Sequence, residues 1–405
     1  MAARLTILAI TAIVCGCRQT DALPPAAWPM AIVGTPRANL TRTCVDDHAA
    51  GVDYFPDKVT VGHARSFRVS YHGSYKVIEF VPDIGSQETV RYVLVQCGAP
   101  VPDDVGRAHV VQVPVRRFVL AKPEFASLVT QFEILDELVG VSSIVPIADP
   151  QILNRHRRGD VHEVGSGTHS SIELALAVRP DVVFTFYSAF ADSNTHPKLW
   201  DVGILGVPLA DHFESTPLGR SEWMKFVALF FNRERQAELE FAAIESRYQQ
   251  LSAAAARVAR RPAVLLGWPN TRQQWALNGG RNYVAQMIAD AGGKYVWDSP
   301  SMRSLDLTDY ERIFDLGGRS DGWFGNHLGH RRLSTLVGSY PQLRLFGPLA
   351  RAEVFNNERG RLPSGATPMA TESLARPDAV LADLIHILHP ELMRGHALRY
   401  YYELE

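Results

Sequence analysis

Residues 234–260 contain neither proline nor glycine and are dominated by Ala, Glu, Gln and Arg, all good helix formers. Pro262 closes the run, since proline cannot continue a helix. The stretch predicts one helix over 233–261, about 40 Å long at 1.5 Å per residue. A helix of that length spans a domain. The segments on its two sides are therefore separate bodies joined by a rigid bar.

Both flanks alternate strands and helices. Before the bar, "RRFVLA" reads as a strand and "EFASLVTQFEILDELVG" as a helix ending at Gly140. Short strands come next at "SSIVPI" and "HEVG", then the helix "SSIELALA", the strand "DVVFTF", the helix "HPKLWDVG" and the strand "VPLAD". After the bar the run is "AVLLGW", "NYVAQMIADAGG", "KYVW", "TDYERIFDLGGR" and "DGWFG", closing with the helix "PDAVLADLIHILHPEL". Such alternation predicts doubly wound, mainly parallel sheets. The expected fold is α/β: two Rossmann-like lobes with parallel sheets, over 110–232 and 262–405, joined by the one long helix. A β-rich segment over 50–115 precedes them, where "RSFRVSYHGSYKVIEFV" alternates around His72-Gly73-Ser74 as a hairpin does. It is expected to pack on the first lobe. Residues 18–49 carry Pro24, Pro25, Pro29 and Pro36 and read as a tether. At 405 residues and 46% hydrophobic content the chain can bury two sizeable cores.

The N-terminus indicates export. One positive charge at Arg4 is followed by the apolar run Leu5 to Val14, too short for a bilayer, which needs roughly 20 residues, and suited to a signal peptide over 1–17. Val14-Cys15-Gly16-Cys17 resembles the lipobox of bacterial lipoproteins, which makes Cys17 the lipidated first residue of the mature chain. An ordinary secretory peptide cleaved somewhat later is the alternative, and it also exports the protein. Cys44 and Cys97 then remain. In an oxidising compartment they can pair, and spacing leaves both a disulfide and two buried thiols open. No Cys/His ligand spacing suggests a metal site. The formal net charge of −2 gives no reason to expect nucleic acid as a partner.

Six stretches in order, "GSYKVIEF", "PVRRFVL", "IELALAVRPDVV", "ESTPLGRSEWMKF", "WALNGGRNYVAQMIADAGGKYVW" and "PDAVLADLIHILHPEL", resemble the substrate-binding proteins of ABC importers for ferric siderophores, haem and cobalamin. The resemblance covers most of residues 50–405. It implies a monomer in the periplasm, anchored to a membrane by lipid, that captures a metal chelate and delivers it to an ABC transporter permease. A ferric siderophore is the first expectation and cobalamin the next, so the ligand would be an iron chelate or corrinoid, with no intrinsic cofactor. A haem-binding receptor, or an enzyme processing a metal chelate on the same fold, is the alternative. No P-loop, H-E-x-x-H or G-x-G-x-x-G is present to favour an enzyme.

By the same resemblance each lobe presents one glutamate to permease arginines, and Glu173 in "SSIELALAVRPDVV" and Glu311 in "TDYERIFDLGGRSDGW" match them. Each would also suit its own helix N-terminus through the macrodipole. The ligand is expected at loops beyond the carboxyl ends of the strands. Those loops offer Lys122 and Phe125 in "AKPEF", then Tyr187, Arg220 and Trp223 from the first lobe, and Trp268, Trp275, Arg281, Trp323 and Asn326 from the second. Many relatives carry a small hydroxyl-rich loop where this chain has Lys122-Pro123. Arg offers a planar fork to carboxylate or catecholate oxygens and indole covers apolar faces, although buried Trp ordinarily belongs to a core. Glu214 and Glu222 flank Arg220 and read as its salt-bridge partners.

Overall fold

A computed structural model describes residues 35–81, 89–165, 172–270, 274–301, 305–325, 329–346, 349 and 354–405. Cys17 and the signal peptide lie outside the described residues.

Two five-stranded sheets form the body. In the first lobe β5 (Phe118–Leu120), β6 (Leu138–Val141), β7 (His162–Glu163), β8 (Val182–Phe186) and β9 (Leu205–Leu209) are all parallel, in the order β7-β6-β5-β8-β9. In the second, β10 (Ala263–Leu266), β13 (Lys294–Tyr295), β15 (Gly322–Gly325) and β16 (Val354–Asn356) are parallel and β17 (Tyr402–Glu403) antiparallel, in the order β13-β10-β15-β16-β17. The strand order reverses between β5 and β8 in one sheet and between β10 and β15 in the other. These are the switch points where a doubly wound sheet leaves a crevice. The second lobe adds an antiparallel sheet of β11 (Trp268–Pro269), β12 (Gln274–Leu277) and β14 (Asp306–Asp309). Its two-residue strand is too short to show a period in the sequence.

The joining helix runs over Glu234–Ala255, 22 residues or about 33 Å. It is shorter than the expected 233–261 because Ala256–Val258 close it with tightening turns. The helix expected to end at Gly140 stops at Gln131. Glu133 turns into the left-handed region at φ 53°, and Gly140 instead lies inside β6. The helix Pro217–Leu229 is buried at all thirteen positions, as a helix threaded through a core must be. One hydrophobic cluster runs continuously from Phe67 and Phe80 through Phe184, Phe226 and Phe241 to Met287 and Leu384.

The N-terminal sheet has the order β1 (Phe67–Tyr71), β2 (Tyr75–Phe80), β3 (Val90–Gln96), β4 (His109–Val113). The loop before it is held by two buried carboxylates. Glu222 accepts from the backbone N–H groups of Gly62, His63 and Ala64, and Glu214 from those of Arg65 and Ser66. Neither glutamate pairs with Arg220, contrary to the expectation from their spacing. Residues 35–49 are no loose tether: Leu40, Cys44 and Val45 are buried, and Cys44 is disulfide-bonded to Cys97 with Cα atoms 4.8 Å apart.

Candidate functional site: a cavity between the two lobes

The loops at both switch points converge. After β5 the chain continues as Lys122-Pro123-Glu124, and after β10 as Gly267-Trp268. Gly267 has φ +99° and a Cβ there would meet the Ala276 carbonyl oxygen at 2.1 Å; only glycine lets the two backbones approach so closely. Pro123, Glu124 and Arg220 of the first lobe then face Leu266, Gly267, Trp268, Tyr283, Phe324 and Gly325 of the second around a cavity of about 350 Å³.

A buried charge cluster backs the first-lobe wall. The Asp211 carboxylate, fully buried at the end of β9, is paired with Lys122 and receives the Arg220 Nε–H at 3.1 Å. Burial alone would raise the Asp211 carboxyl, but Lys122 and Arg220 outweigh it and hold it below the ordinary carboxylate range. Arg220 also donates to Ser373 Oγ at 3.4 Å and lies 4.7 Å from the centre of the Tyr283 ring. Lys122 Nζ sits 3.1 Å from His212 Nδ1; an ammonium only donates, so Nδ1 is the acceptor. Burial and then the Lys122 charge push His212 down to about 3, so the ring is neutral at pH 7. It stacks on the half-exposed Phe186 at 4.6 Å.

Burial likewise pulls His196 down to about 4. Both histidines take up protons at the ordinary value of 6.5 only once unfolded. Stability from them is complete above pH 6.5 and is lost as pH falls. The unfolding free energy should drop between pH 6.5 and 5 with a slope approaching about 2.7 kcal/mol per pH unit for the two protons. Urea titrations across that range measure the slope, and His212→Asn should roughly halve it.

Among the residues expected to touch a ligand, Arg220 and Trp268 line the cavity. Lys122 is buried behind it in the Asp211 cluster. Phe125 and Tyr187 are core residues. Trp223, Trp275 and Trp323 are fully buried, and their indole N–H groups are taken by Glu214, the Leu266 carbonyl and the Gly267 carbonyl. These three are corrected from cleft to core: each packs edge-on or tilted against aromatic neighbours such as Phe67 and Phe346, where an indole buries most area. Arg281 is exposed and does not line the cavity, and Asn326 lies outside the described residues. Sequence reading missed Asp211, Tyr283, Met287 and Ser373. Asp211 carried the one usable signal, an acid directly following a strand as Lys122 does.

Comparison with known proteins places this geometry. Residues 129–315, under half of the chain, match the family model described as periplasmic binding protein. An uncharacterized lipoprotein of Methanocaldococcus jannaschii is 23% identical over 359 residues, covering 85% of this chain and 87% of the relative. A periplasmic heme binding protein from Pseudomonas aeruginosa superposes with a TM-score of 0.55 at 17% identity, over 72% of this chain and 98% of that one. The molybdate periplasmic binding protein MolA of Haemophilus influenzae gives 0.52 at 17% identity, over 70% and 89%. The chain has the fold of the periplasmic binding proteins, two α/β lobes on one joining helix with a cavity where their switch points meet.

Proposed function

We propose that the chain is the substrate-binding component of an ABC importer, capturing a metal chelate between its lobes, foremost a ferric siderophore, and presenting it to a membrane permease. The observation that carries this is the cavity at both switch points, walled by both lobes. Its size falls within the roughly 300–1,000 Å³ of small-molecule sites. Arg220 supplies a planar donor fork and Trp268 an aromatic face from opposite sides, a pairing suited to a chelate with oxygen acceptors and apolar surfaces. Proteins of similar structure are named for heme and for molybdate, both metal-containing ligands.

Glu173 and Glu311 support docking. Each is exposed and sits in the first turn of a short helix, Ile172–Ala177 and Tyr310–Gly318, one per lobe. Carboxylates so displayed suit reversible, steered contact with permease arginines. Export and anchoring through Cys17 complete the reading. The Cys44–Cys97 bond fits an oxidising compartment, and the archaeal relative is named a lipoprotein.

Tryptophan fluorescence of the chain from residue 18 onward, titrated with ferric siderophores, haem, cobalamin and molybdate under inner-filter control, tests it. Saturable one-site binding of a ferric siderophore is expected, with Trp268→Phe removing most of the signal. Binding of only another ligand reassigns the substrate; binding of none ends the chelate reading. Glu173→Ala with Glu311→Ala should leave the affinity unchanged and cut uptake by about tenfold or more, the effect of losing about 1.4 kcal/mol of docking energy.

A further inference from the structure

The cavity is two-faced. Its second-lobe wall has an apolar part, formed by Leu266, Met287, Ile288, Phe324, Val380 and Leu384, beside polar Asn278, Asn357 and Ser373. Its first-lobe wall is charged, and the charges differ in how fully they are met. Arg220 has Asp211, Ser373 and the Tyr283 ring. Lys122 has Asp211 and His212. Glu124 differs: the Arg220 charge lies near it, yet its Oε2 is buried with no hydrogen-bond partner among the described residues. A carboxylate only accepts, so one so poorly supplied with donors calls for another. Glu124 is half-buried and lines the cavity, so a donor delivered there meets the carboxylate from its open side.

We propose that Glu124 sets the specificity of the cavity, its carboxylate accepting an N–H or O–H donor from a ligand whose carbon frame lies on the apolar part of the second-lobe wall. This rests on the reading of the cavity as the ligand site and narrows its ligand class. The favoured ligand carries an amine, hydroxyl or amide on an alkyl or aryl arm. An oxyanion with acceptors alone meets a carboxylate that offers it nothing and repels it. Arg220 does not reverse this preference: Lys122 and Arg220 face two carboxylates, Asp211 and Glu124, which leaves the wall no cationic surplus.

Two methionines, Met287 and Met369, line the cavity and report on it. The chain from residue 18 onward is labelled with ¹³C-methyl methionine, its signals are assigned through Met287→Leu and Met369→Leu, and n-pentylamine, n-pentanol and pentanoate are added separately at millimolar concentration. The amine and the alcohol should shift both signals saturably, with pentanoate weaker by about tenfold or more, the equivalent of about 1.4 kcal/mol and the low end of a charge-assisted hydrogen bond. Glu124→Gln keeps the shape and should abolish the preference for the amine. Equal binding of pentanoate, an unchanged amine affinity in Glu124→Gln, or no shift with any probe would each overturn the proposal. The two readings fail separately. A chelate that binds while the fragments show no preference removes only the role of Glu124. Fragments that behave as expected while no chelate binds remove only the chelate.

Discussion

Glu234→Ala should lower the unfolding free energy by about 3–5 kcal/mol, the cost of leaving a buried charge without its partner. Glu234 opens the joining helix and Lys76 lies on β2; both side chains are fully buried and paired. The pair is enclosed by amides. Lys76 Nζ also donates to Asn232 Oδ1 at 2.9 Å, Asn39 Nδ2 donates to Glu234 at 2.8 Å, and Asn232 Nδ2 donates to Gln96 Oε1 at 2.9 Å. Burial drives the Lys76 ammonium down and the Glu234 charge works against that shift. With the carboxylate gone, only one amide oxygen among the described residues remains to an ammonium shut off from water. Lys76→Met combined with Glu234→Leu should recover most of the loss, because both desolvation costs then vanish together. Urea unfolding followed by circular dichroism measures both. A single-variant cost below about 1 kcal/mol, the range of exposed pairs, would show that the network does not clamp the N-terminal sheet to the helix.

The periodic parts of this fold were legible in the sequence. Alternating strands and helices, and one stretch free of Pro and Gly, are local signals, and they led to two parallel-sheet lobes on a single helix. The site was less legible because its position depends on strand order, which no local period encodes. Only with β8 beside β5 and β15 beside β10 do the loops after β5 and β10 become the crevice. Residue type misled at the tryptophans. Trp268 reaches the cavity while Trp275, seven residues on, is sealed in a core with its N–H on the Leu266 carbonyl, and composition cannot separate them. The helix Pro217–Leu229 shows the same limit for charges. Arg220, Glu222 and Lys225 look like a solvated face, yet all three are buried and met by Asp211, by the 62–64 backbone and by Thr60. The partners of Glu222 and Lys225 lie 160 and 165 residues away in sequence.

Replacing Cys44 and Cys97 together by Ser should cost about 4 kcal/mol in the chain-entropy view of a cross-link closing a loop of this length; the two residues are 53 apart. The bond joins the segment before the N-terminal sheet to the end of β3, where Val45 N also donates to the Cys97 carbonyl at 2.8 Å. Unfolding in urea with and without a phosphine reductant should show the same difference as the double substitution. Ligand affinity should not change, because no residue lining the cavity comes from 35–115. A loss of affinity on reduction would mean that the N-terminal sheet props the first-lobe wall through Glu214 and the helix that carries Arg220. An unchanged midpoint would mean that the carboxylate-held loop and the Lys76–Glu234 pair fix the segment without the bond. The cost should also fall short of a simple sum when combined with Glu234→Ala. Gln96, which receives Asn232, is the residue next to Cys97, so both changes release one network and cannot each remove its full stability.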